Sequence, residues 1–134
     1  MIASIEYPVV LYIEVVDFYA EVERRRAHGL MSRPILVGGD PQKKGKVQSA
    51  SLEARECGVA LGMPMRQALE VCPAAVRLPT DLAFYREAHG QLEVCLRRSL
   101  GSLEVSGLGA AYAEFRSLVS QSRSKAEEIV AAVR

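Results

Sequence analysis

The sequence predicts a mixed α and β fold, in which strands and helices alternate along one chain of 134 residues. Two observations carry this prediction. Short apolar runs rich in β-branched residues, which are typical of buried strands, recur between amphipathic segments with helical spacing. Hydrophobic residues make up 49% of the chain, which is enough for a sizeable core. No repeat or low-complexity linker interrupts the alternation.

The first half of the chain predicts three strands and three helices. The apolar run YPVVLYIEVV reads as a buried strand, and Asp17 is expected to cap the helix FYAEVERRR that follows. Shorter strands are predicted at RPILVGGD and KVQSAS, with the basic loop PQKKGK between them. Ser51 is expected to cap the helix LEARECG, which ends near Gly58, and Pro64 to lie at the start of the next helix.

The second half continues the same alternation. AVRLP is predicted to be a strand, and Thr80 to Leu100 a long helix with Phe84 on its apolar side. The stretch LEVSGLGAAYAEF predicts two short strands around a connection that contains glycine. A last helix is predicted at SRSKAEEIVAAVR, whose apolar residues would need a sheet to cover.

Composition excludes several classes of protein. The 17 basic and 16 acidic residues exclude a uniformly basic nucleic-acid coat but allow a local basic patch. Cys57, Cys72 and Cys95 lie far apart and form no CxxC motif, which predicts reduced, largely buried thiols in a cytoplasmic protein. The N-terminal stretch carries acidic residues and no basic leader, so neither a signal peptide nor a membrane span is expected.

Taken in order, several segments resemble the Y-family translesion DNA polymerases, the DinB/UmuC group. The segments are DFYAEVERRR, RPILVGGDP, LPTDLAFYRE and LEVSGLGAAY, and the most specific is SLEARECGVALGMPMRQAL. The resemblance implies a ferredoxin-like polymerase palm, formed by residues 1–26 and 78–134, with a small inserted fingers lobe at 27–77. The palm would be incomplete at its C-terminal end, because the family's remaining palm strand, thumb and DNA-gripping domain are expected after residue 134.

The resemblance also identifies the positions of the family's catalytic carboxylates. The family binds two divalent cations with an Asp at the end of the first strand and an Asp-Glu pair on the second hairpin strand. Those positions are Glu14, Gly109 and Ala110, and Glu114 lies roughly 13 Å beyond Ala110 along an extended strand. No catalytic residue, metal or cofactor is therefore predicted, and Glu14 is a vestigial position. Magnesium is expected only if the chain is active through unusual ligands.

Nucleotide contacts are implied in the same way. Tyr19 takes the position of the family's aromatic gate against ribose, and a core aromatic is the alternative interpretation. The family binds the triphosphate through a hydroxyl, a phenol and a guanidinium. In this chain those positions are Ser49, Leu52 and Arg55, so the phenol is replaced by a leucine side chain. Arg55 is expected either to bind phosphate through two nitrogens or to form an ion pair with Glu53, Glu56 or Glu14.

A basic stretch is the remaining candidate for a nucleic-acid contact. Seven basic residues and one acidic residue, Asp40, lie between Arg24 and Lys46. Lys43, Lys44 and Lys46 are predicted to make weak, salt-dependent contacts with DNA phosphates, with a solvated face as the alternative. Because no aromatic residues are interleaved with these charges, base stacking is not supported.

These features lead to a functional prediction with two alternatives. The leading prediction is a catalytically inactive Y-family polymerase-like protein, similar to ImuB-type proteins, that acts in DNA repair and translesion synthesis as an accessory or scaffold. It would meet a partner polymerase or sliding clamp through regions outside this chain. The alternatives are an active translesion polymerase fragment with unusual metal ligands and a protein-interaction module without DNA binding. An exposed sheet edge is a predicted site of self-association.

Overall fold

The computed structural model describes residues 6–100 and 102–118 and confirms the mixed α and β fold. The strands are β1 (Glu6–Glu14), β2 (Ile35–Gly38), β3 (Val47–Ala50), β4 (Val76–Leu78), β5 (Leu103–Gly107) and β6 (Ala110–Leu118). The α-helices are α1 (Phe18–Arg26), α2 (Leu52–Glu56), α3 (Met65–Val71) and α4 (Leu82–Leu100). Short 3₁₀ helices span His28–Leu30 and Pro41–Lys43. The helix predicted at SRSKAEEIVAAVR lies outside the described residues.

Within its described part, the chain divides into two compact units. One comprises residues 6–15 with 86–100 and 102–118, and the other comprises residues 16–85. The division into a palm at 1–26 and 78–134 and fingers at 27–77 stays a prediction. Along residues 6–100 and 102–118, no helix combines the length and the apolar character that crossing a membrane requires.

The first unit contains an antiparallel sheet in the order β1-β6-β5. Strands β5 and β6 form the predicted hairpin. Side chains alternate across this sheet, so Ala111 and Ala113 are buried whereas Tyr12 and Tyr112 are exposed on the opposite face. Tyr12 and Tyr112 are paired in register, and their ring centroids lie 4.9 Å apart.

The second unit contains a sheet in the order β3-β2-β4. Strand β2 lies at its centre, antiparallel to β3 and parallel to β4, and all four of its residues are buried. A strand buried on both faces must be apolar throughout, which explains the run ILVG. Next to it, a core cluster joins β2 and β3 to α2 and α3, and includes Leu36, Val47, Ala54, Met65 and Cys72.

Helix boundaries follow the predicted caps with two corrections. Ser51 Oγ accepts hydrogen bonds from the N–H of Ala54 and of Ile35, as expected for a cap that also joins β2. Asp17 precedes α1, but its side chain makes no capping hydrogen bond and its backbone is left-handed, with φ at 57°. Helix α4 begins at Leu82 rather than at Thr80; Phe84, predicted on its apolar side, is half-buried, whereas Tyr85 is fully buried.

Candidate nucleotide and nucleic-acid site

Glu14 is the last residue of β1 and is exposed on the sheet of the first unit. Its partner in the β1–β6 register is Ala110, which offers only a methyl group. Tyr12 lies two residues earlier on the same face of the strand and is exposed as well. Desolvation first, and then the charge of Glu14, raise the pKa of Tyr12.

The hairpin turn between β5 and β6 explains the glycine at position 109. Gly109 has φ at 78°, which is the left-handed backbone conformation that glycine adopts without a steric cost. Its N–H donates to Nδ1 of His89 over 3.0 Å, and its C=O accepts from the N–H of Val15 over 2.8 Å. The backbone of Gly109 therefore joins α4 to the end of β1, and the position contributes no side-chain oxygen.

The described residues do not fit the two-cation site of the family. Magnesium requires several hard oxygen ligands in nearly octahedral geometry. In residues 6–100 and 102–118, no group of three His, Cys, Asp or Glu side chains is placed to hold a metal ion. Glu14 supplies a carboxylate where Gly109 and Ala110 supply none, so no catalytic step through a metal follows from these residues.

Arg55 lies on α2 in the second unit, and its ion-pair partner is Asp17. The distance from Arg55 Nη2 to Asp17 Oδ2 is 2.6 Å. The Asp17 side chain is 10% exposed and that of Arg55 is 39% exposed, so the guanidinium remains accessible from solvent. The prediction that a glutamate would pair with Arg55 is wrong. Because the backbone at Asp17 is left-handed, its carboxylate makes no capping hydrogen bond to α1 and can pair with Arg55 instead.

Ser49 and Leu52 lie near the start of α2 but differ in exposure. Ser49 is only 5% exposed, and its Oγ accepts a hydrogen bond of 3.2 Å from the N–H of Ala20. The Ser49 hydroxyl thus ties β3 to α1. Leu52 is exposed, and its side chain offers no hydrogen bond in place of the phenol that the family carries.

Tyr19 stacks on a second tyrosine that sequence reasoning missed. The rings of Tyr19 and Tyr85 are nearly parallel, with centroids 4.4 Å apart. Tyr85 is fully buried, and its hydroxyl donates a 2.8 Å hydrogen bond to Oε1 of Glu23, which is buried as well. Burial first, and then the Glu23 hydrogen bond, raise the pKa of Tyr85 far above its usual range. Tyr19 is therefore positioned by a rigid neighbour on one face while part of its surface stays accessible.

Four exposed cations form what we call the basic surface: Lys43, Lys44, Lys46 and Arg66. The first three belong to the loop between β2 and β3. Arg66 comes from α3 and lines a cavity with Pro41 and Gln42, in the 3₁₀ helix that also carries Lys43. Within the described ranges, no acidic side chain forms an ion pair with any of the four. Arg66 could not be predicted, since it lies twenty positions after Lys46.

Two of the other cations in the predicted basic stretch are paired with acidic side chains. Arg24 Nη2 lies 2.7 Å from Glu53 Oε2, and Arg26 Nη1 lies 2.8 Å from Asp81 Oδ2. Backbone hydrogen bonding at the start of α2, more than the charge of Arg24, lowers the pKa of Glu53. Arg24 and Arg26 therefore contribute little free positive charge, whereas Arg25 and Arg33 are exposed like the lysines of the loop.

The match to a family model covers nearly the whole chain. Residues 13–134 match the family described as IMS, the impB/mucB/samB family. DNA polymerase IV of Methanoculleus marisnigri is 37% identical over 107 residues, covering 78% of this chain and 30% of the relative. DNA polymerase IV of Alkalilimnicola ehrlichii is 38% identical over 103 residues, covering 77% of this chain and 29% of the relative. The chain thus spans less than a third of these relatives.

Solved structures of DNA polymerases share the fold. DinB from Sulfolobus solfataricus matches with a TM-score of 0.75 at 23% identity, covering 96% of this chain and 36% of that protein. An insertion ternary complex of Dbh DNA polymerase matches with a TM-score of 0.78 at 22% identity, covering 95% of this chain and 39% of that protein.

The prediction that the chain is not an enzyme is wrong. It rested on Gly109 and Ala110, which occupy two positions of the family's cation ligands. The two relatives that are 37% and 38% identical to this chain are named DNA polymerase IV, which is the name of an enzyme. The matched model, these relatives and the polymerase fold all agree, and the chain therefore belongs to the impB/mucB/samB family, the Y-family of DNA polymerases.

Proposed function

We propose that this chain is the palm-and-fingers part of a translesion DNA polymerase, which adds deoxynucleotides to a primer opposite a DNA template. The observation that carries the proposal is the family match over residues 13–134, together with identities above one third to proteins named DNA polymerase IV. Because the chain spans about 30% of such relatives, the proposal concerns one part of such an enzyme.

The basic surface supports a contact with the DNA backbone. Lys43, Lys44, Lys46 and Arg66 present unpaired positive charge to solvent in one part of the second unit. Cations of this kind bind phosphates and release counterions, which makes the affinity dependent on salt. Since the net charge of the chain is only +1, any attraction for DNA is local to such a surface.

Arg55 and Tyr19 support a nucleotide contact in the same unit. A triphosphate carries more charge than the Asp17 carboxylate, and it can accept two parallel hydrogen bonds from one guanidinium. Arg55 would exchange Asp17 for the phosphate, because its side chain is accessible. Tyr19, held against Tyr85, would place a flat ring beside the sugar and exclude a 2′-hydroxyl by contact.

Divalent cations, when bound, would neutralise the charge that develops on the transferred phosphoryl group. Glu14 is the carboxylate that the described residues offer for this purpose at the end of β1. The proposal therefore requires further oxygen ligands from parts of the protein outside residues 6–100 and 102–118.

Primer extension by the full-length gene product tests the proposal. The substrate is a primed template, undamaged or carrying an abasic site, with Mg²⁺ or Mn²⁺ in the buffer. We expect incorporation opposite both templates. Glu14→Ala tests whether Glu14 would hold a cation, because loss of such a ligand would lower the rate by more than about tenfold. Glu87→Ala is the control, because Glu87 is exposed on α4.

A folded product that binds primed DNA but incorporates no nucleotide with either cation would reject the proposal. In that case the accessory role, with a partner polymerase or sliding clamp, becomes the remaining explanation of DNA binding. Incorporation that is equal in Glu14→Ala and wild type would remove Glu14 from the site but leave the polymerase function standing.

A further inference from the structure

Two cysteines that lie far apart in the sequence come together in the second unit. Cys57 follows α2 directly, and Cys72 follows α3 directly. The ends of these two helices are adjacent, because a Cβ atom added at Gly58 would lie 3.4 Å from Cγ1 of Val71. The prediction that all the cysteines are largely buried is wrong for Cys57, which is exposed.

The two thiols are neighbours, because Cys72 packs in the core cluster with Ala54 and Val59, which lie on either side of Cys57 in the sequence. Burial first, and then the neighbouring Cys57 thiol, raise the pKa of the Cys72 thiol to about 11. Cys72 is 1% exposed and belongs to the core cluster with Ala54 and Ala68, so its side chain is held in place by packing. One thiol thus faces solvent while its neighbour is protected from solvent.

We propose that Cys57 and Cys72 are a redox modification site, at which a peroxide oxidises the exposed Cys57 and Cys72 then closes an intramolecular disulfide. A thiolate is the nucleophile in such chemistry, and access decides which thiol reacts first. The exposed Cys57 therefore reacts first, and the adjacent, packed Cys72 acts as the resolving thiol.

The proposed steps balance as a two-electron oxidation. The Cys57 sulfur attacks one oxygen of hydrogen peroxide, the O–O bond breaks, and a sulfenic acid and water form after proton transfer. The Cys72 sulfur then attacks the Cys57 sulfur, the S–O bond breaks, and a second water leaves. Two thiols are oxidised to one disulfide while one peroxide is reduced to two waters.

The disulfide would join the C-terminal ends of α2 and α3. Arg55 lies two residues before Cys57 at the end of the same short helix. A covalent link at Cys57 therefore restrains the segment that carries Arg55. This inference stands on the adjacency of the two helix ends and on the exposure of Cys57, and it does not depend on polymerase activity.

Peptide mapping by mass spectrometry tests the proposal on the reduced full chain treated with hydrogen peroxide. We expect a cross-linked peptide that contains Cys57 and Cys72, with the mass of two hydrogen atoms lost. Cys95→Ser is the matched control and should keep the cross-link. In Cys72→Ala, Cys57 should accumulate as a sulfenic acid that dimedone traps, and in Cys57→Ser the Cys72 thiol should stay reduced.

A trivalent arsenical gives a second measurement that does not need oxidation, since it bridges two neighbouring thiols. Phenylarsine oxide should bind one equivalent of wild type and of Cys95→Ser, but not of Cys57→Ser. Two results would overturn the proposal: oxidation of wild type that ends at Cys57 without a cross-link, or equal arsenical binding by Cys57→Ser and wild type.

Discussion

At the scale of single residues, the pairing of Asp17 with Arg55 has the clearest consequence for binding. The pair joins the residue before α1 to α2, over 2.6 Å. The Arg55 side chain is 39% exposed, so a triphosphate can reach the guanidinium, whereas the displaced Asp17 carboxylate, 10% exposed, would lose its partner. Asp17 nevertheless competes with any anion for the same guanidinium.

Asp17→Asn should therefore tighten nucleotide binding. The substitution removes the competing charge and keeps the size of the side chain, and we expect about threefold tighter binding of a deoxynucleoside triphosphate. Equilibrium titration of a fluorescent nucleotide at low salt measures the change. Asp81→Asn, which removes the partner of Arg26, is the control and should leave the affinity unchanged. Weaker binding in Asp17→Asn would show that Asp17 supports the site.

Tyr85 and Glu23 form a buried polar pair that depends on one hydrogen bond. Tyr85 donates to Glu23 over 2.8 Å, and neither residue is accessible to bulk water. Removing the hydroxyl would deprive a buried carboxylate of a donor, which costs more than the net value of an ordinary hydrogen bond.

Tyr85→Phe should lower the free energy of unfolding by about 1–3 kcal/mol in urea titrations at neutral pH. Tyr112→Phe, at an exposed ring, should change it by less than about 0.5 kcal/mol. Equal effects of the two substitutions would contradict the importance assigned to the buried pair.

The same pair predicts a loss of stability at alkaline pH. The folded state raises the pKa of Tyr85 above its ordinary value near 10, so folding holds a proton that the unfolded chain releases. This contribution is complete below about pH 10 and is lost as the pH rises further. Between pH 10 and 11 we expect wild type to lose about 1 kcal/mol more than Tyr85→Phe. Parallel pH profiles in urea unfolding would reject this assignment.

At the scale of elements, the loop between β2 and β3 depends on close backbone contacts. A Cβ atom at Gly45 would lie 2.2 Å from the carbonyl carbon of Gly39, which no real structure allows without a backbone shift. The N–H of Met65 also donates to the C=O of Gly45 over 2.7 Å, so the loop is joined to the start of α3. These contacts position the lysines of the basic surface.

Gly45→Ala should therefore destabilise the protein by about 1–3 kcal/mol. Gly90→Ala is the matched control within a helix. Gly90 lies inside α4 with open space around its Cα, so alanine should stabilise the helix by about 0.5–1 kcal/mol. Urea unfolding of both variants measures the two changes. Opposite signs are expected, and a stabilising Gly45→Ala would show that the loop is not held as described.

At the scale of the whole molecule, an almost neutral chain carries an unpaired basic surface. The 17 basic residues are nearly balanced in number by 16 acidic ones, but only some of the basic side chains form ion pairs with acidic ones. Arg24 and Arg26 are paired with acids, whereas the lysines of the loop and Arg66 are not. Binding to DNA should therefore depend on a few side chains rather than on the total charge.

Arg66→Ala should weaken binding to single-stranded or primed DNA and reduce its salt dependence. Each lost phosphate contact lowers the slope of log affinity against log salt by about 0.7–0.9. Fluorescence anisotropy at several salt concentrations measures the slope for the full chain. Arg98→Ala, which removes an equal charge from the exposed side of α4, is the control and should keep the slope. Equal slopes in Arg66→Ala and wild type would exclude Arg66 from the contact.

The sequence by itself determined the fold class, the family, and most helices and strands. These depend on local periodicity, on cap and turn residues such as Ser51 and Gly109, and on motifs in a fixed order, all of which are properties of neighbouring positions. The sequence did not determine activity, because the residues at Gly109 and Ala110 predicted an inactive chain whereas the relatives are named polymerases.

Only the tertiary structure decided which distant residues meet. Asp17 pairs with Arg55 across 38 positions, Tyr85 donates to Glu23 across 62, and the helix ends that carry Cys57 and Cys72 lie side by side. Each contact depends on how strands and helices pack in the second unit. Packing brings together residues that are far apart in the sequence, and no local sequence pattern indicates that they will meet. The partners of charged and reactive side chains are therefore tertiary properties, even where the helix that carries each side chain is predictable.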